Sequence, residues 1–234
     1  MTQKTCLIAG VGAGTGQALV RRFVAGGYRV VMLARRTRVL EELVDELGEA
    51  VWAYPCDMAD RPQLEAMLEE TIAAWGVPEV AVHNGARGSF GTFQEVSAED
   101  LEENFRINTV SLLHLGQALA PAMLERGSGS LIVTGNTSAW RGVPNFSAFA
   151  PTKAAQRILA QSMARTLGPQ GIHVAYVVID AVIDIYWTRK RWAGRPDDFF
   201  IKPAAIADEV FHVAHQDRSA WSFEVEIRPF GETW

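Results

Sequence analysis

The stretch that decides the fold occupies residues 6–16 and reads C-L-I-A-G-V-G-A-G-T-G. Its apolar first part is typical of a buried strand, and four glycines follow within seven residues. Leucine, valine and phenylalanine then recur at helical spacing until the glycine pair at 26–27, which ends the predicted helix. The chain therefore opens with a strand, a tight turn and a helix.

The same alternation of strand and helix continues along the chain. Further short apolar strands are predicted at 30–33, 51–55, 80–82, 130–134 and 172–179. Helices are predicted at 37–47, 61–75, about 100–126, about 150–167 and 203–215. Strands of this kind, separated by helices, form parallel sheets covered on both faces. We therefore predict one domain over residues 1–234, a doubly wound, Rossmann-type α/β fold that binds ligands beyond the carboxyl ends of its strands.

Two segments near the C terminus depart from this pattern. Residues 184–202 follow the carboxyl end of a strand and show no clear periodicity, which predicts a mobile lid over the pocket. Apolar and polar residues alternate over 221–228, which indicates an edge strand with one wet face. Trp221, Phe223 and Trp234 are expected to cover a subunit contact, so we expect a homodimer or homotetramer.

The composition indicates the class of ligand and the cellular location of the protein. A net charge of −5, with basic residues scattered along the chain, predicts a small-molecule ligand and argues against nucleic acid and anionic membranes. No apolar run reaches membrane-spanning length. Cys6 and Cys56, in a chain with no signal peptide, predict reduced thiols in the cytoplasm. No C-x-x-C pair occurs and the histidines are scattered, so no metal site is predicted.

The glycine-rich turn is the first candidate site. Gly10, Gly14 and Gly16 let the main chain approach a phosphate, while the start of the helix supplies free N–H groups and the positive end of its dipole. We assign Thr15, which lies between two of these glycines, to the same phosphate site. The alternative is a turn whose glycines serve only the local structure.

Several further motifs follow this turn in a fixed order. They are Asp57 after the third strand, H-N-G-A at 83–86, Asn108 in E-N-F-R-I-N-T-V and Lys153 in F-A-P-T-K. Together with the G-x-x-x-G-x-G spacing of the turn, they resemble the short-chain dehydrogenase/reductase family over nearly the whole chain. The resemblance implies that Asp57 contacts the adenine and that Asn84 lies beside the cofactor. It also implies that Asn108 holds a water of a proton relay and that Lys153 binds the nicotinamide ribose.

The end of the second strand indicates which cofactor is used. An acidic residue there would bind the ribose 2′-hydroxyl of NAD and repel a 2′-phosphate. This chain has A-R-R at 34–36, and Arg35 can form charge-assisted hydrogen bonds with the phosphate. We therefore predict NADP(H), with NADPH preferred over NADH. The alternative is that both arginines are solvated residues at the start of the next helix.

Three departures from the family pattern lie where the chemistry is expected. Phe149 stands in place of the catalytic tyrosine, and Asn136 stands in place of the substrate-orienting serine, with Ser138 two residues further on. Asp180 occupies part of the segment where the family has Pro-Gly. Helical spacing predicts that the ammonium of Lys153 lies close to the ring of Phe149, but this ring has no proton to donate.

These departures suggest roles for the remaining residues around the pocket. Asn136 is expected to orient a polar group of the substrate. Asp180 is expected to stabilise a cation or deliver a proton, unless it is a structural aspartate satisfied by backbone bonds. Phe149, Trp140 and Tyr186 are the expected walls of the substrate pocket, although aromatic residues in loops also serve packing alone.

Two functions fit the sequence. The first is an NADP(H)-dependent oxidoreductase with an atypical active site, acting on activated C=N, C=C or carbonyl substrates and relying on Lys153, Asn108, Asn136 and Asp180. The second is a catalytically inactive nucleotide-binding protein that serves as a redox sensor or a subunit of an assembly. The retained Asn108 favours the enzyme, whereas the missing tyrosine favours the binding protein.

Overall fold

The computed structural model describes residues 3–232, so Trp234 lies outside the described residues. The strands are β1 (Thr5–Ala9), β2 (Arg29–Ala34), β3 (Val51–Pro55), β4 (Val80–His83), β5 (Gly129–Asn136), β6 (Ile172–Ile179), β7 (Val182–Ile183), β8 (Phe200–Ile201) and β9 (Glu224–Ile227). The helices are α1 (Thr15–Ala25), α2 (Arg38–Leu47), α3 (Arg61–Trp75), α4 (Ala98–Phe105), α5 (Ser111–Arg126), α6 (Ala150–Leu167), α7 (Tyr186–Arg191) and α8 (Pro203–Ala214).

Seven of these strands form one parallel sheet in the order β3-β2-β1-β4-β5-β6-β9. The first three strands extend from β1 to β3 on one side of the sheet. The chain then crosses back, and the strands from β4 to β9 extend on the other side. The carboxyl ends of β1 and β4 lie side by side, with Ala9 paired to His83. In doubly wound sheets this point of reversal is where ligands bind. The predicted doubly wound α/β fold is confirmed.

Helices bury both faces of the sheet. Successive residues of each central strand point to opposite sides, so neighbours along a strand belong to different core layers. Ile8 of β1 belongs to the core layer that α1 and α8 cover, together with Phe23 and Val210. Its neighbour Leu7 belongs to the layer that α3 and α5 cover, together with Leu68 and Leu115. This double burial explains why the strands appear in the sequence as continuous apolar runs.

The structure tests three sequence expectations about these elements. The helical stretch predicted at about 100–126 is confirmed, and within it a π-helical turn at Arg106–Val110 joins α4 to α5 without a break. The last strand is shorter than 221–228 and starts at Glu224, since Trp221 instead stacks on the ring of His173 at a centroid distance of 4.8 Å. The predicted edge position is confirmed, because β9 pairs with β6 alone among the described strands.

The segment at 184–202 is more regular than its sequence suggests. It contains α7 and also β8, which pairs in parallel with β7 outside the main sheet. Asp184 at its start binds Arg189 and Lys202, so one carboxylate joins the two ends of the segment. Within residues 3–232, no helix combines the length and apolarity needed to cross a membrane.

Candidate active site

A cleft of about 820 Å³ opens beyond the carboxyl ends of the central strands. This volume is in the range of sites that bind cofactors and drug-sized ligands, roughly 300–1,000 Å³. Its walls come from the glycine-rich turn, the ends of β2, β4 and β5, the start of α6 and the first part of the segment at 184–202. The predicted site residues in its lining are Gly10, Gly14, Thr15, Gly16, Arg35, Asp57, Asn84, Asn136, Lys153 and Tyr186.

The glycine-rich turn forms the base of this cleft and is packed too tightly for side chains at two positions. Gly10 has a φ of +100°, and a Cβ there would lie 2.2 Å from the backbone nitrogen of Gly85. A Cβ at Gly16 would lie 2.7 Å from the Cα of Val11. The hydroxyl of Thr15 is buried and has no hydrogen-bond partner within the protein. A buried hydroxyl without a partner beside a helix N-terminus fits a phosphate group, which would accept a hydrogen bond from it.

Asn84 holds this turn in place. Its Nδ2 donates to the carbonyl oxygen of Gly10 over 2.8 Å, and its Oδ1 accepts from the hydroxyl of Thr134 over 3.0 Å. The side chain therefore ties the ends of β4 and β5 to the start of the turn. Asn84 therefore lines the cleft with its side-chain amide engaged by the protein.

Arginines stand at the far end of the cleft, where β2 ends. Arg35 and Arg36 line it and no acidic residue lies between Ala34 and Arg36, so a negatively charged group is favoured there. Asp57 lines the same region, and its carboxylate accepts from the backbone N–H of Ala59 over 3.0 Å. The other carboxylate oxygen lies 3.5 Å from Arg106. Asp57 is thus held by its neighbours but still borders the cleft.

Lys153 lies beneath the middle of the cleft, and only 1% of its surface is exposed. Its Nζ donates to Oε1 of Gln156 over 2.5 Å and to the carbonyl oxygen of Thr134 over 3.3 Å. Burial disfavours the charged ammonium and lowers the pKa of this lysine to about 7. Its charge therefore changes in the neutral range.

Phe149 caps the start of α6 and faces a cluster of aromatic rings. Its ring lies 5.8 Å from that of Phe90 and 6.0 Å from that of Phe146, measured between centroids. The residue is only 9% exposed and lies outside the lining of the cleft. The expectation that the Lys153 ammonium lies close to this ring is wrong, because Nζ turns to Gln156 and Thr134.

Asn108 is buried in the π-helical turn and joins three segments. Its side chain accepts from the backbone N–H of Arg87 over 2.9 Å and donates to the hydroxyl of Thr152 over 2.8 Å. Its backbone carbonyl accepts from Nε2 of Gln156 over 2.7 Å. Asn108 therefore braces the start of α6 against α5.

Asn136 lies at the carboxyl end of β5, on the wall of the cleft. Its Oδ1 accepts from the backbone N–H of Ser138 over 3.1 Å, which leaves the NH₂ group as the donor for a ligand. Ser138 is buried and lies outside the cleft lining, so Asn136 is the better placed of the two.

The remaining predicted residues surround the outer part of the site. Asp180 is 6% exposed, lies 3.5 Å from Arg141 and is outside the cleft lining, so its environment is that of a structural ion pair. Trp140 is partly exposed and also outside the lining. Tyr186, at the start of α7, borders the cleft but is 84% exposed.

Sequence reasoning missed the polar network under the cleft. Gln156 lies on the buried face of α6 and contacts Lys153, His83 and Tyr176. The sequence did contain a sign of this network, because Gln156 follows Lys153 by three positions and so lies on the same helical face. Nothing in the sequence marks the second feature: Gly135 lies against Tyr176, and a Cβ there would meet the tyrosine ring at 2.0 Å.

The chain matches the family model described as short chain dehydrogenase over residues 4–184. It is 32% identical over 189 residues to the NADP-dependent 3-hydroxy acid dehydrogenase YdfG of Shigella flexneri, covering 80% of this chain and 76% of that protein. A short-chain dehydrogenase from Rhodopseudomonas palustris superposes with a TM-score of 0.85 at 30% identity, over 97% of this chain and 99% of the other. A metagenomic short-chain oxidoreductase in complex with NADP gives 0.84 at 25% identity, over 97% of both chains. The protein therefore belongs to the short-chain dehydrogenase family of oxidoreductases.

Proposed function

We propose that this protein is an NADP(H)-dependent oxidoreductase that reduces substrates already activated for hydride addition, such as iminium ions, conjugated alkenes or polarised carbonyls. The observation that carries the proposal is the position of Phe149, one turn before the buried Lys153, in a site whose phosphate-binding turn and cleft are intact. The residues predicted to bind the cofactor all line the cleft, and residue 149 is a phenylalanine, which has no proton to donate.

The residues present fit NADP(H) along the length of the cleft. The glycine-rich turn and the free hydroxyl of Thr15 would hold the pyrophosphate, and Arg35 would hold the 2′-phosphate. Asp57 would border the adenine, and Lys153 would lie under the nicotinamide ribose. The NADP-dependent relative and the NADP complex of a related structure support this choice of cofactor. When bound, NADPH supplies a hydride.

The absence of a proton donor at residue 149 limits the class of substrate that the protein can reduce. A well-placed general acid contributes roughly 10²–10⁴ in rate, which corresponds to about 3–5 kcal/mol of barrier. A phenyl ring supplies none of this, so unactivated ketones should react poorly. Asn136 keeps a free NH₂ group that can orient a polar atom of the substrate.

The test begins with titration of the protein with NADPH and, separately, NADH, following nicotinamide fluorescence and the melting temperature. Oxidation of NADPH is then measured with a cyclic iminium ion, an enone and an aryl ketone. Binding of NADPH with turnover of the first two substrates supports the proposal. Absence of binding by either nucleotide at millimolar concentration overturns it, as does efficient turnover of the unactivated ketone alone.

A specific observation also supports the alternative of a nucleotide-binding protein without turnover. The Nζ of Lys153 is buried and held by two protein acceptors, so at most one of its three N–H donors is left for a ribose hydroxyl. Tight binding of NADPH with no turnover of any of the three substrate classes would favour this function. Homo-oligomeric assembly and a cytoplasmic location remain predictions, and gel filtration with light scattering would test the first.

A further inference from the structure

Gln156 lies one helical turn after Lys153 on α6, and its side chain is fully buried. Its Nε2 donates to the carbonyl oxygen of Asn108 over 2.7 Å and lies 3.3 Å from Nδ1 of His83. Its Oε1 accepts from Nζ of Lys153 over 2.5 Å and from the hydroxyl of Tyr176 over 3.3 Å. A primary amide offers two N–H donors and an oxygen with two lone pairs, so every hydrogen-bonding position of this group is used.

The orientation of this amide follows from its partners. The backbone carbonyl of Asn108 can only accept, so it must face the NH₂ group of Gln156, and the oxygen must then face Lys153. His83 consequently accepts at Nδ1 and carries its proton on Nε2, which donates to Ser111 over 2.7 Å. Burial, reinforced by the nearby lysine, lowers the pKa of His83 to about 3, so its ring is uncharged.

Lys153 therefore depends on neutral groups from every element around it. His83 of β4 and Tyr176 of β6 are uncharged, and burial raises the pKa of the tyrosine. The end of β5 contributes the carbonyl of Thr134, and no carboxylate of residues 3–232 forms an ion pair with the lysine. The oxygen of Gln156 is the one side-chain acceptor bonded to Nζ in the described chain.

We propose that Gln156 is a positioning residue, whose amide oxygen fixes Lys153 against the Thr134 carbonyl and sets the charge that the lysine presents to the cleft. An acceptor at this distance stabilises the ammonium form, so its strength tunes the proton affinity of the lysine. This inference rests on the proposed function in one respect: loss of the charge above neutral pH should weaken binding of an anionic dinucleotide.

The test measures the titration of Lys153 directly. The sequence contains four lysines, Lys4, Lys153, Lys190 and Lys202, so protein grown with [ε-¹³C]lysine gives four NMR signals to follow against pH. Gln156→Glu places a carboxylate at the same distance and should raise the pKa of Lys153 by roughly 1–3 units. Gln156→Leu removes the acceptor and should lower it. Tyr176→Phe removes the other donor to the same oxygen and is the matched control, with a smaller shift expected.

The outcomes separate this inference from the proposed function. The inference is overturned if wild-type Lys153 has the same pKa as the other three lysines. It is also overturned if the pKa of Lys153 is the same in wild type, Gln156→Glu and Gln156→Leu. If Gln156→Glu does not fold, as judged by its melting curve, the comparison of Gln156→Leu with Tyr176→Phe decides. A protein that binds no NADPH at any pH would contradict the proposed function but leave the NMR titration intact. A purely structural role for Gln156 would change the melting temperature without moving the Lys153 titration.

Discussion

Phe149 and Lys153 lie one helical turn apart, yet their side chains face different parts of the molecule. The ring packs against Phe90 and Phe146, whereas Nζ is bonded to Gln156 and to the carbonyl of Thr134. A hydroxyl added to the ring of residue 149 would therefore lack a neighbouring Lys153 ammonium to lower the pKa of that hydroxyl.

Phe149→Tyr alone should consequently confer little reduction of unactivated ketones. We expect the rate to stay well short of the ~10²–10⁴ gain that a positioned acid contributes. NADPH oxidation with a panel of aryl ketones measures this, and Phe146→Tyr controls for a hydroxyl added elsewhere in the same aromatic cluster. A gain of ~10² or more would show that the tyrosine was the only missing part.

Arg35→Ser should weaken NADPH binding and leave NADH binding unchanged. A hydrogen bond to a charged group contributes about 1.5–3 kcal/mol, so the Kd for NADPH should rise by roughly 10–100-fold. Arg61 is a suitable control for Arg35, because it pairs with Glu65 on α3 outside the cleft lining. Equal weakening of both nucleotides would contradict the assignment of Arg35 to the 2′-phosphate.

Gly10→Ala should strongly destabilise the fold, whereas Gly12→Ala should not. The first change places a methyl group 2.2 Å from the backbone of Gly85 in a left-handed conformation, which itself costs about 1–2 kcal/mol. The second meets nothing within 4 Å. Urea unfolding of both variants provides the comparison, and similar midpoints would show that the turn can relax around a side chain.

Stability should rise with pH through the titration range of Lys153. Its folded pKa of about 7 lies below the unfolded value of about 10.4, so between these values the unfolded chain binds a proton that the folded chain lacks. The free energy of unfolding should therefore gain about 1.4 kcal/mol per pH unit from this group above pH 7.

Lys153→Met isolates this contribution. The raised pKa values of Cys6 and Cys56 act in the opposite direction at alkaline pH, but they are common to both proteins and cancel in the difference. Urea unfolding of wild type and variant between about pH 7 and about pH 9 should give diverging stabilities. A constant difference would mean that the buried lysine keeps its ordinary charge.

Asp184→Asn should loosen the segment at 184–202. The carboxylate bonds Arg189 and Lys202, and hydrogen bonding to Arg189 holds its pKa far below the usual range. The stabilisation is present above the unfolded value of about 3.9 and is lost as pH falls towards the folded pKa. Hydrogen exchange of this segment should be faster in the variant, with Asp198→Asn as a control. Unchanged hydrogen exchange would show that the pairing of β8 is enough to keep the segment at 184–202 in place.

The sequence predicted most of the sheet because its strands are buried on both faces and its helices keep one apolar face. It did not predict the π-helical turn of Arg106–Val110, since this turn lies within a helical stretch that continues on both sides. It also failed at α7, a helix of 6 residues that is too short to show a period. Segments that depend on one or two tertiary contacts give no repeating pattern to recognise.

The lining of the cleft was predictable, because its glycines, Arg35 and Asn84 lie where the main chain places them, at the ends of strands. The environment of Lys153 was not, because its direction depends on Gln156, and the amide of Gln156 depends on Asn108 and His83. These partners come from separate elements, and only the folded chain brings them together. Asp180 shows the same limit, since its partner Arg141 lies on a different loop.

Gly135 and Tyr176 lie on neighbouring strands, and the ring of one fills the space where a side chain of the other would be. A methyl group at residue 135 would lie 2.0 Å from the ring, whereas a smaller residue at 176 would leave only a cavity. The two positions therefore have an order in which they can change during evolution. Tyr176 must first be replaced by a smaller residue before anything larger than glycine is tolerated at 135, and the opposite order passes through an overpacked core.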